Sequence, residues 1–248
     1  ASLDKARGLL TAAGALETEE GEEVLFWRAK LDALLGRLYE AAAGFKEADR
    51  IVTVAGLPLR CRCGVLVKLA LTQLNLGQRT QCLATMDRCL ELMRGVPSNE
   101  KMCPSMSFCM MTLAYAYGRM KMPDTALQLG EEAEAVMDKL ITGDTKGGAY
   151  LLSILGWLHG ELRGDWSAAH GYCSKAHRVH EELGTTHTFM GAQTAIALAY
   201  VKHRLGDTSG SDKLQRQVSL AGQHALVPLL AIAPAGYYLT TIGGCRVD

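Results

Sequence analysis

The residues best suited to chemistry crowd into one stretch, RGDWSAAHGYCSKAHRVH, at 163–180. His170, Cys173, His177 and His180 recur there at i, i+3, i+7 and i+10, a spacing that brings them to one face of a helix. Imidazole nitrogen and thiolate are good zinc ligands, although ligands strung along one straight helix rarely close a tetrahedron without a residue from elsewhere. The same stretch opens with an Arg-Gly-Asp tripeptide, which would serve adhesion only on an exposed loop of a secreted protein.

Other chemistry is sparse. GDTKGG (143–148) places a lysine among glycines but lacks the spacing of a phosphate loop and the strand that precedes one. ETEEGEE (17–23) reads as a solvated acidic loop feeding the N-terminus of the next helix, with docking of a basic partner as the alternative. No paired carboxylates, nucleophile–histidine pair or facial metal triad stands out. Neither catalysis nor a cofactor is expected.

The totals exclude further classes. In 248 residues, 26 Lys and Arg balance 26 Asp and Glu, and only Arg60 and Arg62 cluster, so no nucleic-acid footprint is expected. Eight cysteines stand at irregular spacings inside apolar runs with no Cys-x-x-Cys pair, which reads as free thiols of a cytoplasmic protein. The start, ASLDKARGLL, is a charged amphipathic helix rather than a signal peptide. Residues 225–243 are uncharged and approach the length a bilayer needs, but Pro228 and Pro234 interrupt them. A buried terminal helix is the expectation there, with no membrane contact.

These residues must be positioned by helices. LLSILGWLHGEL (151–162) and AIALAYVKHRL (195–205) put apolar residues at i, i+3, i+4 and i+7, and IVTV (51–54) continues a helical pattern. Breaks fall at AGLP (55–58), GVPSNE (95–100), GDTKGG and GTT (184–186). Small pairs then recur: Leu35-Gly36, Leu69-Ala70, Leu113-Ala114, Leu155-Gly156 and Leu198-Ala199, separated by 34, 44, 42 and 43 residues. Each precedes a turn, at AGFKEA (43–48), GQRTQCLA (77–84), MPDTA (122–126), GDWSAA (164–169) and GDTSGS (206–211).

This pattern resembles tetratricopeptide (TPR) repeats, in which Leu-Gly-x2-Tyr leads to a turn and then to spaced alanines. Leu35, Gly36, Tyr39, Phe45, Ala48 and Ala55 match in the first repeat, and Leu113, Ala114, Tyr117, Ala126 and Ala133 in the third. Leu155, Gly156, Gly164, Trp166, Ala169 and Ala176 match in the fourth. The second and fifth keep Gly77 and Gly206 but replace the second-helix alanines. The resemblance implies an all-α superhelical array of antiparallel helix pairs, about five repeats forming one solenoid over 1–248. Most periods exceed the 34 residues of a standard TPR, as in scaffold subunits and in the arrays of signalling ATPases and cyclases, so helices or linkers are longer.

Both ends read as half-repeats. Ala6, Leu10 and Ala13 have second-helix spacing with no first helix before them, and 226–240 reads as a first helix with no partner. Either the chain is a segment of a longer one, the preferred reading, or a partner covers the ends. In the repeat frame GDW is a turn, Asp165 caps the following helix, Trp166 packs inward and Cys173 faces the core. His170, His177 and His180 are then packed or solvated side chains, and a metal-binding helical protein is the least favoured reading.

A TPR-like solenoid implies a concave groove lined by first helices, where peptides or helices lie. Two residues beyond each anchor leucine stand Arg37, Leu71, Tyr115, Trp157 and Tyr200, and four further on Ala41, Asn75, Arg119, Glu161 and Arg204. Arg37, Tyr115, Arg119, Trp157, Glu161, Tyr200 and Arg204 are therefore the candidate groove residues, set against the alternative that the rings pack on neighbouring repeats. The chaperone-tail clamp of the family is not supported: Lys30 matches, but Arg37 and Leu71 stand where asparagine is needed. The leading expectation is a non-catalytic scaffold for a protein or peptide partner within a larger regulatory or multisubunit protein. The alternative is an intramolecular regulatory arm of an ATPase or cyclase.

Overall fold

The structure, a computed structural model, describes residues 2–97, 101–140 and 144–207. Ten helices and no strand occur among them. They are α1 (Ser2–Ala12), α2 (Glu19–Leu34), α3 (Leu38–Val54), α4 (Leu59–Asn75) and α5 (Arg79–Gly95), then α6 (Pro104–Arg119), α7 (Pro123–Leu140), α8 (Lys146–Arg163), α9 (Trp166–Glu182) and α10 (Phe189–Arg204). IVTV closes α3 as a helix.

Local chemistry sets the ends. Three first helices start alike, with a threonine hydroxyl accepting the backbone N–H three residues on: Thr18 from Gly21 (3.4 Å), Thr145 from Gly148 (3.0 Å) and Thr188 from Gly191 (3.3 Å). In α2 and α10 the glycine is required because the entering chain folds back over it: a Cβ on Gly21 would lie 2.0 Å from the Leu16 carbonyl oxygen, and one on Gly191 2.3 Å from that of Thr185. ETEEGEE is therefore a cap followed by the first turn of α2, with Glu19, Glu20 and Glu22 at its positive pole, and not a loop. Each first helix stops at a left-handed residue, Gly36, Gly77, Lys121, Gly164 and Gly206, with φ between 65° and 78°. Lys121 alone there is not glycine.

These turn residues follow one another at 41, 44, 43 and 42 residues, so the first period of 34 was one of register rather than structure. Leu35 caps α2 and Gly36 ends it; AGFKEA lies inside α3. The true first anchor is Arg28-Ala29, in line with Leu69-Ala70. Arg28 pairs with Asp4 of α1 and with Asp32 (3.2 Å), so an arginine stands where other repeats bury leucine. That replacement hid the motif, while Leu35, Gly36 and Tyr39 imitated it. Leu35 and Tyr39 are 57% and 72% exposed.

The extra period length resides in the helices. From α2 to α10 each has 16–18 residues. First-to-second connections take two or three residues, at 35–37, 76–78, 120–122 and 164–165, and second-to-first connections vary more.

The chain divides into two compact units, Ala1–Cys109 and Met110–Asp248, the boundary falling inside α6. In the first, α1 packs on α2, α2 on α3 and α4, and α4 on α3 and α5. Leu25, Ala29, Phe45, Ala48, Ile51, Val52, Val65 and Leu69 share its core. In the second, α8 packs on α7, α9 and α10, and α9 on α10.

Two small positions recur on the second helices. They are filled by Ala41, Cys82, Ala126 and Ala169, then by Ala48, Cys89, Ala133 and Ala176, all fully buried. The alanines missing from the second repeat are thus cysteines. Close approach explains the small side chains: a Cβ on Gly44 would come within 2.8 Å of the Ala29 methyl, and one on Gly156 within 2.6 Å of the Cys173 sulfur.

Residues 225–243, the expected terminal half-repeat at 226–240 and Cys245 lie outside the described residues. No described helix is long and apolar enough to cross a membrane.

Candidate ligand-binding face

The first helices carry six of the seven candidate groove residues, all but Arg37. In the second unit, Tyr115, Trp157 and Tyr200 do stand in register, six or seven residues before the turn residue of α6, α8 and α10. Their rings are 3%, 3% and 1% exposed. Tyr115 meets Trp157 edge-on at 5.0 Å, and Trp166 meets Tyr200 at 5.8 Å. The alternative of rings packed on neighbouring helices is the one observed.

What these rings present outward is charge. Arg119 Nη1 donates to the Tyr115 hydroxyl at 2.7 Å, and Arg204 Nη1 donates to the Tyr200 hydroxyl at 2.9 Å. Tyr200 in turn donates to Glu161 Oε1 at 2.5 Å, and Arg204 lies 3.5 Å from the same oxygen. The Arg204 guanidinium also covers the Trp166 ring at 4.0 Å. Burial, and then the Glu161 carboxylate, push the Tyr200 hydroxyl up to about 12, which keeps it a donor. Arg119, Glu161 and Arg204 are thus held by buried rings, with Arg204 41% exposed.

In the first unit Arg37 is not on a first helix. It stands in the turn before α3 and pairs with Asp32 at 2.6 Å. Counted from Gly36, the residue in register with Leu71 and the three rings is Lys30 on α2. Lys30 Nζ lies 4.2 Å over the Trp27 ring, and Lys68 Nζ on α4 lies 4.6 Å over Phe108. Burial lowers both lysines, and the charge of Lys30 adds to the lowering of Lys68, to about 8. Trp27 is 46% exposed. Lys68 and Trp27 escaped the motif count; the signal for Lys68 is a single charge inside the apolar run VLVKLALT (65–72).

The histidine–cysteine face of α9 is part of the packing. Asp165 Oδ1 accepts from Ala168 N at 2.9 Å, capping α9, and Trp166 fills the space over Gly160. Cys173 is fully buried, which pushes its thiol up to about 12. His180 is fully buried with Nδ1 on Thr185 Oγ1 at 2.9 Å, His177 Nε2 lies 3.6 Å from Glu181, and His170 meets Ser174 at 3.4 Å. No group of three or more metal-binding side chains gathers among the described residues. All seven described cysteines are free.

An all-α array of paired helices with small residues at each crossing defines the TPR-like helical-repeat fold, and this chain has it. BtubC (BKLC) from P. vanneervenii superposes with a TM-score of 0.65 at 17% identity, over 90% of this chain and 88% of that one. A Podosopora anserina structure named for kinesin light chain nearly identical TPR-like repeats gives 0.57 at 15%, over 83% and 96%. A Rap protein complexed with competence and sporulation factor gives 0.62 at 16%, over 90% and 57%. No family model and no curated protein matches the sequence.

Proposed function

We propose that the chain is a non-catalytic interaction scaffold that holds a peptide or helix of a partner protein against its first helices, within a larger regulatory or multisubunit protein. The observation that carries this reading is the side-chain chemistry of the first helices within each unit. In the second unit, buried rings hold Arg119, Glu161 and Arg204 in fixed places; in the first, Trp27 stays half-exposed beside Lys30. Fixed charges and an available ring suit peptide recognition, because order is already established before binding. The fold it shares with the proteins above is compatible with such a role.

The test is to pan a displayed random-peptide library on the purified chain and to map the selected peptide by amide hydrogen exchange. Protection is expected on α2, α4, α6, α8 and α10. Protection confined to α3, α5, α7 and α9 would place the binding surface on the opposite side and reject the reading.

A further inference from the structure

We propose that Cys63 and Cys89 form a reversible thiol–disulfide pair that staples α4 to α5 within the first unit. The two helices pack on each other, and both cysteines are fully buried. Their side chains are hydrogen-bonded to one another. Cys89 Sγ also lies 3.7 Å from the Cys63 carbonyl oxygen and 4.0 Å from Met93 Sδ. Sulfurs already in contact are within reach of the side-chain rotations that an S–S bond of about 2.05 Å requires. The device acts on the fold alone, so it does not depend on the scaffold reading.

The repeat explains why these two cysteines meet. Cys63 stands eight residues before Leu71, the place that Ser107, Ala149 and Ala192 take before Tyr115, Trp157 and Tyr200. All four are buried and small. Cys89 stands where other second helices carry Ala48, Ala133 and Ala176. The fourth repeat thus has alanine at both places and the second has cysteine at both. Backbones that approach closely enough for alanine bring two cysteine sulfurs together. Cys82, at the other small position of α5, meets Met86 Sδ at 3.3 Å instead, and a thioether cannot form such a bond.

Cys63 is the thiol set up to react. The hydrogen bond from Cys89, and then the Arg62 guanidinium, hold it below the ordinary thiol value against the opposing effect of burial, while the Cys89 thiol is pushed up. The oxidant is hydrogen peroxide, small enough to enter where bulky thiol reagents do not. Peroxide transfers one oxygen to the Cys63 sulfur, giving a sulfenic acid and releasing one water. The Cys89 sulfur then displaces the hydroxyl, which leaves with the Cys89 proton as a second water. Two thiols are oxidised and one peroxide is reduced to two waters. A dithiol reductant restores the pair by exchange. The bond spans 26 positions of the chain, so the second repeat can no longer open by parting α4 from α5.

The experiment treats the whole folded chain with hydrogen peroxide, blocks the remaining thiols with N-ethylmaleimide in denaturant, and maps linked peptides by mass spectrometry. A Cys63–Cys89 link is expected, and dithiothreitol should remove it. The oxidised chain should unfold at a urea midpoint higher by about 1 M, the scale that closing a loop of this length sets. Cys89→Ala and Cys63→Ala install the residue that other repeats carry, so both variants should keep the helical circular dichroism and lose the link and the urea shift together. Cys63 and Cys89 both recovered as maleimide adducts, with Cys61 or Cys103 oxidised instead, rejects the pair. A link from either one to Cys109 rejects it as well. A Cys63–Cys89 link that leaves the midpoint unchanged or lowers it overturns the staple.

Discussion

Replacing Lys68 by methionine is expected to stabilise the protein, the reverse of the usual result for a half-buried position. The free amine of lysine titrates at 10.5 and this one at about 8, chiefly through desolvation and then through Lys30. At about 1.4 kcal/mol per pH unit, the charged form costs the folded state at most about 3.5 kcal/mol at neutral pH. Lys68 keeps some accessible surface, so solvent screening reduces the working figure to about 2 kcal/mol. The sign follows from proton counting. Between about 8 and 10.5 the unfolded chain binds more protons than the folded one, so stability rises with pH across that window and the full penalty applies below it. Methionine keeps an unbranched apolar side chain at this position and removes the charge. Urea unfolding followed by circular dichroism at pH 7 and pH 10 should show the variant ahead by about 2 kcal/mol at the lower pH and by under about 1 kcal/mol at the higher. A variant that is less stable at pH 7, or a gap that does not change with pH, would refute the desolvation of Lys68.

Other consequences are equally open to measurement. Lys121 occupies a left-handed position with φ 65°, so Lys121→Gly should raise stability by about 1 kcal/mol in the same unfolding assay. Gly156→Ala should lower it by about 1–3 kcal/mol, because the added methyl meets the Cys173 sulfur at 2.6 Å and the Ala169 carbonyl oxygen at 3.1 Å. Tyr200→Phe leaves Glu161 without its 2.5 Å donor and should cost about 1–2 kcal/mol, visible as a lower melting temperature. His180 is depressed by burial, then by His177 and Lys146, so its neutral form belongs to the fold. Stability that is complete above the unfolded histidine value should fall as the pH drops below about 6.5, and His180→Asn should flatten that slope in denaturation measured at pH 7 and pH 5.

The fold was readable because helical periodicity and turn chemistry agree over nearly every element. Asp165 as a cap and Cys173 as a core side chain followed directly from the repeat frame. The first repeat was misaligned for a physical reason: glycine serves both close helix approach, as at Gly156, and left-handed helix ends, as at Gly36, and the two uses look alike in a motif. Once Arg28 replaced the anchor leucine, the nearer Leu-Gly pair captured the register and carried Arg37 with it. The aromatic ladder was readable as a register but not as a buried one, since helix spacing alone does not tell which of two flanks lies beneath a neighbour. Lys68 was overlooked because it belongs to no repeat position; its isolation among Val65, Leu66, Val67 and Leu69 was the available clue.

The cysteines at the small positions of the second repeat bear on how the protein can be handled. Cys82 and Cys89 occupy the space that alanine fills elsewhere and are fully buried, as are Cys63, Cys109 and Cys173 to within a few per cent. Thiol reagents therefore meet Cys61 and Cys103 first among the described cysteines, since only these two retain accessible surface. Burial and the neighbouring acids Glu22 and Glu19 hold the Cys61 thiol above its ordinary value, and this slows its attack. Among the described cysteines, Cys103, just ahead of α6, is left as a natural attachment point for a fluorophore or spin label.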